Sequence, residues 1–170
     1  MLKRIPKEEV LAVILSCQDH RRPKTWTKLM KLLDLEAGQY YSPAFAGSSK
    51  TIAEAYRRGN RALYEFLVEQ VGIGINHGGA GYLYLHHHKH CTFYGIPEPV
   101  REKKIQLEDC LTSYQLLSSE YPNVDILMIW EELLDITGSV SKFFVMSVEQ
   151  VEDEIFRLKD LLAEGSCALV

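Results

Sequence analysis

The run from His86 to Cys91, His-His-His-Lys-His-Cys, is the densest group of metal-ligating side chains in the sequence. On an extended strand, alternate side chains share one face at a spacing of about 7 Å. His86, His88 and His90 would therefore lie on one face, and Cys91 could join them if the strand end twists. Neutral imidazoles and thiolates bind zinc, copper and nickel. The pattern makes His86, His88 and His90 candidate ligands of a transition metal.

Three interpretations of this run remain open: a physiological metal site, adventitious binding of nickel or zinc, and a metal-free exposed polar strand. The four cysteines form no C-x-x-C pair that would help to close a site, and Cys17 and Cys110 are expected to be buried free thiols because apolar residues surround them. The cofactor prediction is therefore none, with zinc or another transition metal on the His86 to Cys91 strand as the alternative.

A second group of side chains suits phosphate. Arg57, Arg58 and Arg61 fall within five positions around an expected helix start, where guanidinium groups and first-turn amides can meet phosphate or base edges. The alternative is that these arginines form solvated ion pairs with Glu54 and Glu65 at helical spacing. The complete predicted nucleic-acid surface comprises Lys50, Arg57, Arg58, Asn60, Arg61, Tyr64 and His77.

Established catalytic motifs are missing from the sequence, which contains no P-loop, no G-x-S-x-G elbow and no H-E-x-x-H. The carboxylates Glu131, Glu132 and Asp135 have apolar neighbours and are interpreted as the solvent side of an amphipathic helix. The prediction is that the protein is not an enzyme. A metal-dependent hydrolase built on the histidine strand is kept as an alternative.

The elements that would position these groups are mainly helices. Apolar spacing predicts helices over 6–19, 25–37 and 49–71, the last interrupted at Gly59-Asn60. Two alternating runs, 72–75 and 82–85, flank a glycine-rich turn and predict a β-hairpin. Beyond a proline-marked linker at 95–99, helices are predicted over the ranges 100–121, 124–137 and 147–164. The expected fold class is mostly α with a small β-hairpin (α+β).

Helices followed by a hairpin with a glycine-rich tip resemble the winged helix-turn-helix architecture. The resemblance lies in residues 52–85, where the packing positions are occupied by Ile52, Ala55, Leu63 and Leu67, and where Gly-Ile-Gly-Ile and Tyr-Leu-Tyr-Leu stand as the wing. It implies a basic winged-helix-like unit over 1–94. The helical unit over 100–170 is then either a second, reduced winged helix or a set of helices that completes the core or pairs two chains.

Charge is distributed unevenly along the 170 residues, 46% of which are hydrophobic. Residues 1–90 hold 13 Lys and Arg against 8 Asp and Glu, a net charge of +5, whereas residues 91–170 hold 6 against 15, a net charge of −9. A basic half attracts phosphate. Alternatively, the basic and acidic halves attract each other within or between chains.

The expected function is that of a DNA-binding protein of winged-helix type, acting as a transcriptional regulator or a nucleic-acid-processing accessory factor. The alternative is a winged-helix scaffold that binds protein partners and has little affinity for DNA. The predicted partners are double-stranded DNA, a second copy in a homodimer and a protein bound through the acidic half. No membrane-spanning run or secretory signal is recognised, so the expected location is the cytoplasm.

Overall fold

The computed structural model describes residues 10–19, 22–134 and 140–167. A π-helical turn over Ile73–His77 links the third helix to the fourth strand. The strands and helices are β1 (Ala12–Cys17), α1 (Arg22–Leu32), β2 (Tyr40–Tyr41), β3 (Ala44–Phe45), α2 (Lys50–Arg57), α3 (Arg61–Gly72), β4 (Tyr82–His88), α4 (Pro99–Glu120), β5 (Asp125–Leu133), β6 (Ser141–Met146) and α5 (Val148–Cys167).

The strands form one mixed sheet of order β2-β1-β4-β5-β6, with β3 also paired to β1. β1 is parallel to β2, β3 and β4, β4 is parallel to β5, and β6 is antiparallel at the edge. From β1 the chain first adds strands on one side and then, with β4, on the other. In open α/β sheets, the carboxyl ends of the strands at such a switch point form the usual ligand-binding crevice.

Helices cover both faces of the sheet. On one face, apolar residues of α2, α3, α4 and α5 pack against Leu15, Leu85 and Met128. On the other face, Leu29 and Met30 of α1 pack against Ile14 and Ile129, among other residues. Because both faces are covered, the central strands carry almost continuous apolar runs.

Those continuous runs explain two errors in the predicted elements. The ranges 12–17 and 125–133 are strands, where helices over 6–19 and 124–137 were predicted. Residues 6–9 and 135–137 of those predicted helices lie outside the described residues. All six residues of β1 are buried. A short apolar run buried on both sides has no period that separates a strand from a buried helix. The predicted helices are confirmed at α2, α3, α4 and α5, where one face of each helix remains polar.

The predicted hairpin is also wrong. Residues 72–75 end α3 and enter the π-helical turn, where a Cβ on Gly74 would lie 2.5 Å from a methyl carbon of Val13. The glycine therefore allows the turn to pack closely against β1. β4 pairs with β1 and β5, both parallel to it. The mostly α fold class and the winged-helix resemblance are therefore wrong, because the described residues form an α/β fold around a mixed sheet.

Strands from both sides of the proline-marked linker belong to this one sheet, with β1 and β4 before it and β5 and β6 after it. The division into units over 1–94 and 100–170 stays a prediction. The longest helix, α4, has 22 residues and lies on the far side of the sheet from α1. Among the described helices, none combines the length and the apolar character that a membrane span requires.

Candidate metal centre

Three metal-ligating side chains meet where β1 and β4 end. Cys17 is the last residue of β1, His88 is the last residue of β4, and Cys91 follows three residues later. Their ligand atoms all lie within 4.8 Å of one another, and all three residues are buried. The sulfurs of Cys17 and Cys91 are 3.6 Å apart. That is far beyond the roughly 2 Å of a disulfide, and it is close to the separation of about 3.8 Å that two thiolates take on a tetrahedral zinc ion with Zn–S bonds of about 2.3 Å.

The imidazole of His88 is oriented as a ligand. Its Nδ1 lies 3.1 Å from the carbonyl oxygen of Lys89, to which it donates in the matching tautomer. Its Nε2 is buried and has no hydrogen-bond partner among the described residues. An unpaired buried nitrogen is costly, whereas histidines that bind metals usually donate their other ring nitrogen to a carbonyl or carboxylate. The donor set and this unpaired nitrogen fit a zinc ion.

The electrostatics of the two cysteines also favour a metal. Their shared hydrogen bond lowers the pKa of Cys17, and nearby His88 lowers it further. The same hydrogen bond, together with burial, raises the pKa of Cys91. One sulfur is therefore predisposed to be a thiolate without any metal, and thiolate is the form of cysteine that binds zinc.

A small cavity adjoins the cluster on the α1 face of the sheet. Its volume of about 10 Å³ is enough for about one water molecule. Asp19, two residues after β1, brings Oδ2 to 3.8 Å from Nε2 of His88. The residues lining this cavity are Cys17, Asp19, Thr25, His86, His88, Glu131 and Leu133.

One wall of the cavity is polar. His86 Nε2 and Glu131 Oε2 are 3.1 Å apart, and both side chains are buried. Burial alone would raise the pKa of Glu131, but hydrogen bonds with His86 and Thr25 and the nearby charges of His86 and His88 together outweigh it, so that the pKa lies below its ordinary value. The interpretation of Glu131 as the solvent side of a helix is therefore wrong, because it lies on β5 and faces the metal-binding residues. Asp135 of the same predicted group is outside the described residues.

His87 points to the opposite face of β4 and has a different environment. Its Nε2 lies 2.7 Å from Oγ of Ser49, and its Nδ1 lies 3.1 Å from Oε1 of Gln106. Complete burial lowers the pKa of His87 to about 3, so the ring is neutral in the folded protein at physiological pH. Both ring nitrogens are therefore engaged in hydrogen bonds and neither faces the cluster.

Of the three histidines predicted to bind metal, the structure brings His88 into the cluster. His86 pairs with Glu131, and the half-exposed His90 has Nδ1 4.0 Å from Glu102. Sequence reasoning missed Cys17 because its strand was interpreted as a helix, although its burial as a free thiol is confirmed. Recognising β1 and β4 as parallel neighbours would have placed Cys17 beside His88. The prediction of no cofactor is corrected by this cluster.

The residues predicted to meet DNA lie on α2, on α3 and in the adjoining turns. Arg58 pairs with Glu54 at 3.4 Å, and Arg61 donates to Glu65 at 2.7 Å. The alternative interpretation, solvated ion pairs at helical spacing, is thus confirmed for these two arginines. Arg57 donates to the buried carboxylate of Asp109.

Three of the four remaining members of that set also have contacts within the chain. Lys50 Nζ donates to the carbonyl oxygen of Phe93, the side-chain oxygen of Asn60 caps α3 by accepting from the amide of Leu63, and the hydroxyl of Tyr64 donates to Glu120. His77 is exposed at the end of the π-helical turn. A groove that includes Arg61 and Tyr64 is lined by three carboxylates, those of Glu65, Glu69 and Glu120. The assignment of the seven residues to a binding surface stays a prediction, without the winged-helix fold that motivated it.

Comparison with known proteins gives a likeness in structure alone. No protein-family model matches the sequence, and no curated protein matches it. The fold is similar to that of the β-carbonic anhydrase isoform I of the protozoan Trichomonas vaginalis, with a TM-score of 0.54, 11% identity and 85% of each chain covered. A tetrameric β-carbonic anhydrase of Sordaria macrospora gives 0.41, at 10% identity over 82% of this chain and 84% of that one. The enzyme CafA of Aspergillus fumigatus gives 0.39, at 11% identity over 89% and 84%.

These findings correct the functional predictions. A DNA-binding regulator, a winged-helix scaffold and a duplex DNA partner all depended on a fold that this chain does not have. The homodimer and the protein-binding acidic half were predicted for a helical unit over 100–170, whereas β5 and β6 of that range belong to the sheet. The prediction that the protein is not an enzyme conflicts with the metal cluster and with a fold found in enzymes. The chain has the α/β fold of a β-carbonic anhydrase and carries, at its switch point, a Cys17, His88 and Cys91 cluster that fits zinc.

Proposed function

We propose that this protein is a zinc-dependent enzyme that catalyses the reversible hydration of carbon dioxide, as a carbonic anhydrase does. The observation that carries the proposal is the convergence of Cys17, His88 and Cys91 at the carboxyl ends of β1 and β4. Three protein ligands are the usual number in catalytic zinc sites, which keep one position for the reacting molecule. Likeness in fold to a β-carbonic anhydrase supports the choice of substrate.

Each residue of the centre has a role in this proposal. Cys17, His88 and Cys91 would hold the zinc ion, which when bound supplies a Lewis acid that activates water near neutral pH. The hydrogen bond from His88 to the carbonyl oxygen of Lys89 orients the imidazole and keeps the Nε2 lone pair directed at the cluster.

The cavity supports a substrate of very few atoms. Its volume of about 10 Å³ and its buried walls leave room for a reacting water molecule but not for a large substrate. The Asp19 carboxylate, whose Oδ2 lies 3.8 Å from Nε2 of His88, is placed to accept a hydrogen bond from a reacting water and would orient it. The Thr25 side chain and the pair of His86 and Glu131 form the polar wall opposite.

A cytoplasmic location suits this proposal. Cys17 and Cys91 must remain thiols to bind a metal, and a reducing compartment keeps them so. We therefore retain the cytoplasm as the expected location.

The test uses two matched cysteine variants of the untagged protein, purified without nickel. Cys17→Ala removes a ligand, whereas Cys110→Ala removes a buried free thiol that is not part of the cluster. Elemental analysis measures zinc, and stopped-flow indicator absorbance measures carbon dioxide hydration. Wild type and Cys110→Ala are expected to hold one zinc ion per chain and to catalyse hydration. Cys17→Ala is expected to lose both properties.

Wild-type protein without stoichiometric zinc would refute the metal centre. Zinc without hydration activity would refute the substrate. Asp19→Asn provides a finer test, because it is expected to retain zinc while the hydration rate falls on the order of 100-fold. An unchanged rate in that variant would remove Asp19 from the mechanism.

A further inference from the structure

The turn that carries two of the three metal-binding residues is held from behind by a buried carboxylate. Glu102 of α4 is 1% exposed. Its Oε2 accepts from the backbone amide of His90 at 3.0 Å, and its Oε1 accepts from the backbone amide of Cys91 at 2.6 Å. Hydrogen bonds to an ionised acceptor are roughly twice as strong as neutral ones. This carboxylate therefore fixes the backbone of Cys91 and of the residue before it.

A neighbouring side chain on α4 extends this support to the other ligand. Nε2 of Gln106 donates to the carbonyl oxygen of His88 at 2.9 Å and to Oε1 of Glu102 at 3.1 Å. Glu102 and Gln106, one helical turn apart, together hold the backbone of His88, His90 and Cys91. Both ends of the segment between the two ligands are thus tied to one rigid helix.

The backbone of this segment needs such support. His90 has a φ of +58°, in the left-handed region that non-glycine residues rarely adopt. Such conformations cost free energy and persist where surrounding contacts enforce them. The hydrogen bond from the His90 amide to Glu102 is such a contact. Without it, the turn would be freer to relax, and the Cys91 sulfur would move relative to His88.

We propose that Glu102 is a positioning residue of the metal centre, which sets the turn from His88 to Cys91 in its ligand geometry before the metal binds. This inference rests on the proposed function, because it requires that the cluster holds a metal. Glu102 acts through the backbone amides and touches no ligand atom. Removing an outer partner of this kind typically costs 10- to 100-fold in metal affinity.

A control on the same helix distinguishes a role of Glu102 in positioning the ligand turn from a merely structural role. Glu98 is also a carboxylate that accepts from two backbone amides, those of Val100 at 2.8 Å and Arg101 at 2.6 Å, where it caps the start of α4. Within the part of the chain that the structure describes, its carboxylate makes no hydrogen bond to the turn from His88 to Cys91. Glu98→Gln and Glu102→Gln therefore make the same chemical change at two carboxylates that each accept from two backbone amides.

The experiment measures zinc affinity by chelator competition and the absorption spectrum of the cobalt(II)-substituted full chain, with melting temperature as the measure of stability. We expect Glu102→Gln to lower zinc affinity about 10- to 100-fold and to shift the thiolate-to-cobalt and ligand-field bands. We expect Glu98→Gln to lower the melting temperature while the affinity and the spectrum stay those of the wild type.

Equal zinc affinity and equal cobalt spectra in wild type and Glu102→Gln would overturn the proposal. If Glu102→Gln does not fold, Glu102→Asp decides instead, because the shorter side chain withdraws the carboxylate from the amides of His90 and Cys91 without removing its charge. Wild-type affinity and a wild-type cobalt spectrum in that variant would overturn the proposal. A wild type that binds no zinc would refute both this inference and the metal centre. Zinc binding that depends on Glu102 without hydration activity would support this inference and refute the proposed substrate.

Discussion

Two regions of this molecule concentrate groups capable of chemistry, and they differ in what those groups contact. In the metal cluster, Cys17, His88 and Cys91 are buried and direct their ligand atoms at one another. On the arginine surface, formed by Arg57, Arg58 and Arg61, the guanidinium groups extend outward and pair with carboxylates of the same chain. The cluster therefore has lone pairs available for a ligand, whereas the charges of the arginine surface are already compensated.

The difference shows that local density of reactive residues is a weak guide to a site. The arginines fall within five consecutive positions, whereas three complete helices and two short strands lie between Cys17 and His88 in the sequence. Binding sites need donors that converge in a concave, largely desolvated place. Exposed ion pairs such as that of Arg61 with Glu65 typically contribute little, because water screens them.

The largest expected difference between the two regions is in metal binding. His88→Ala removes the imidazole ligand, so we expect loss of stoichiometric zinc and of carbon dioxide hydration. The double variant Arg58→Ala, Arg61→Ala should keep both, because its ion pairs lie outside the cluster. Elemental analysis and stopped-flow kinetics on the three proteins measure this. The comparison fails if the arginine variant loses zinc and His88→Ala retains it.

A second prediction sharpens the comparison within β4. His87→Ala should destabilise the metal-free protein by about 3 kcal/mol, because it leaves a cavity and unpaired groups on Ser49 and Gln106. It should nevertheless bind zinc with wild-type stoichiometry, since His87 faces away from the cluster. Urea unfolding gives the stability and elemental analysis the zinc content. Loss of zinc with little change in stability would mean that His87 binds the metal and that His88 has the structural role.

The third prediction concerns pH. The pKa of His87 is about 3 in the folded protein and about 6.5 when unfolded. As the pH falls from about 6 to about 4, the unfolded state binds a proton that the folded state does not, so the free energy of unfolding falls by up to about 1.4 kcal/mol per pH unit. Urea unfolding of metal-free wild type and His87→Ala should show this slope reduced by that amount in the variant. Equal slopes would mean that folded His87 is already protonated.

The smallest changes in stability are expected on the arginine surface. There, the burial of each arginine's carboxylate partner determines which substitution costs more. Arg57→Ala should cost about 1 kcal/mol, because it removes a charged donor from the buried carboxylate of Asp109. Arg61→Ala should cost no more than about 0.5 kcal/mol, because its pair with Glu65 is exposed. Thermal unfolding of the two single variants measures the difference. A larger cost at Arg61 would contradict this ranking.

The sequence by itself determined the amphipathic helices, and it offered a metal site on the histidine run as one of three interpretations. α2, α3, α4 and α5 each keep a polar face, so their period of 3.6 residues is visible in the sequence. The histidine run indicated candidate metal ligands on β4, because so many imidazoles in one short segment are unusual. His88 and Cys91 lie in that run, and a single residue of the cluster had to come from elsewhere.

Only the tertiary structure decided the fold class, the third ligand and the roles of the neighbouring histidines. β1 and β5 are buried on both faces, and that burial erases the alternation which would identify them as strands. Cys17 reaches His88 because parallel pairing aligns the carboxyl ends of β1 and β4, a contact between residues distant in sequence. His86, His87 and His88 are three consecutive histidines with different partners, because alternate side chains of a strand face opposite sides of the sheet. His86 pairs with Glu131, and His87 bonds to Ser49 and Gln106. His88 lies with the two cysteines of the cluster. Local residue patterns contain no information about those neighbours, because they come from other strands and helices.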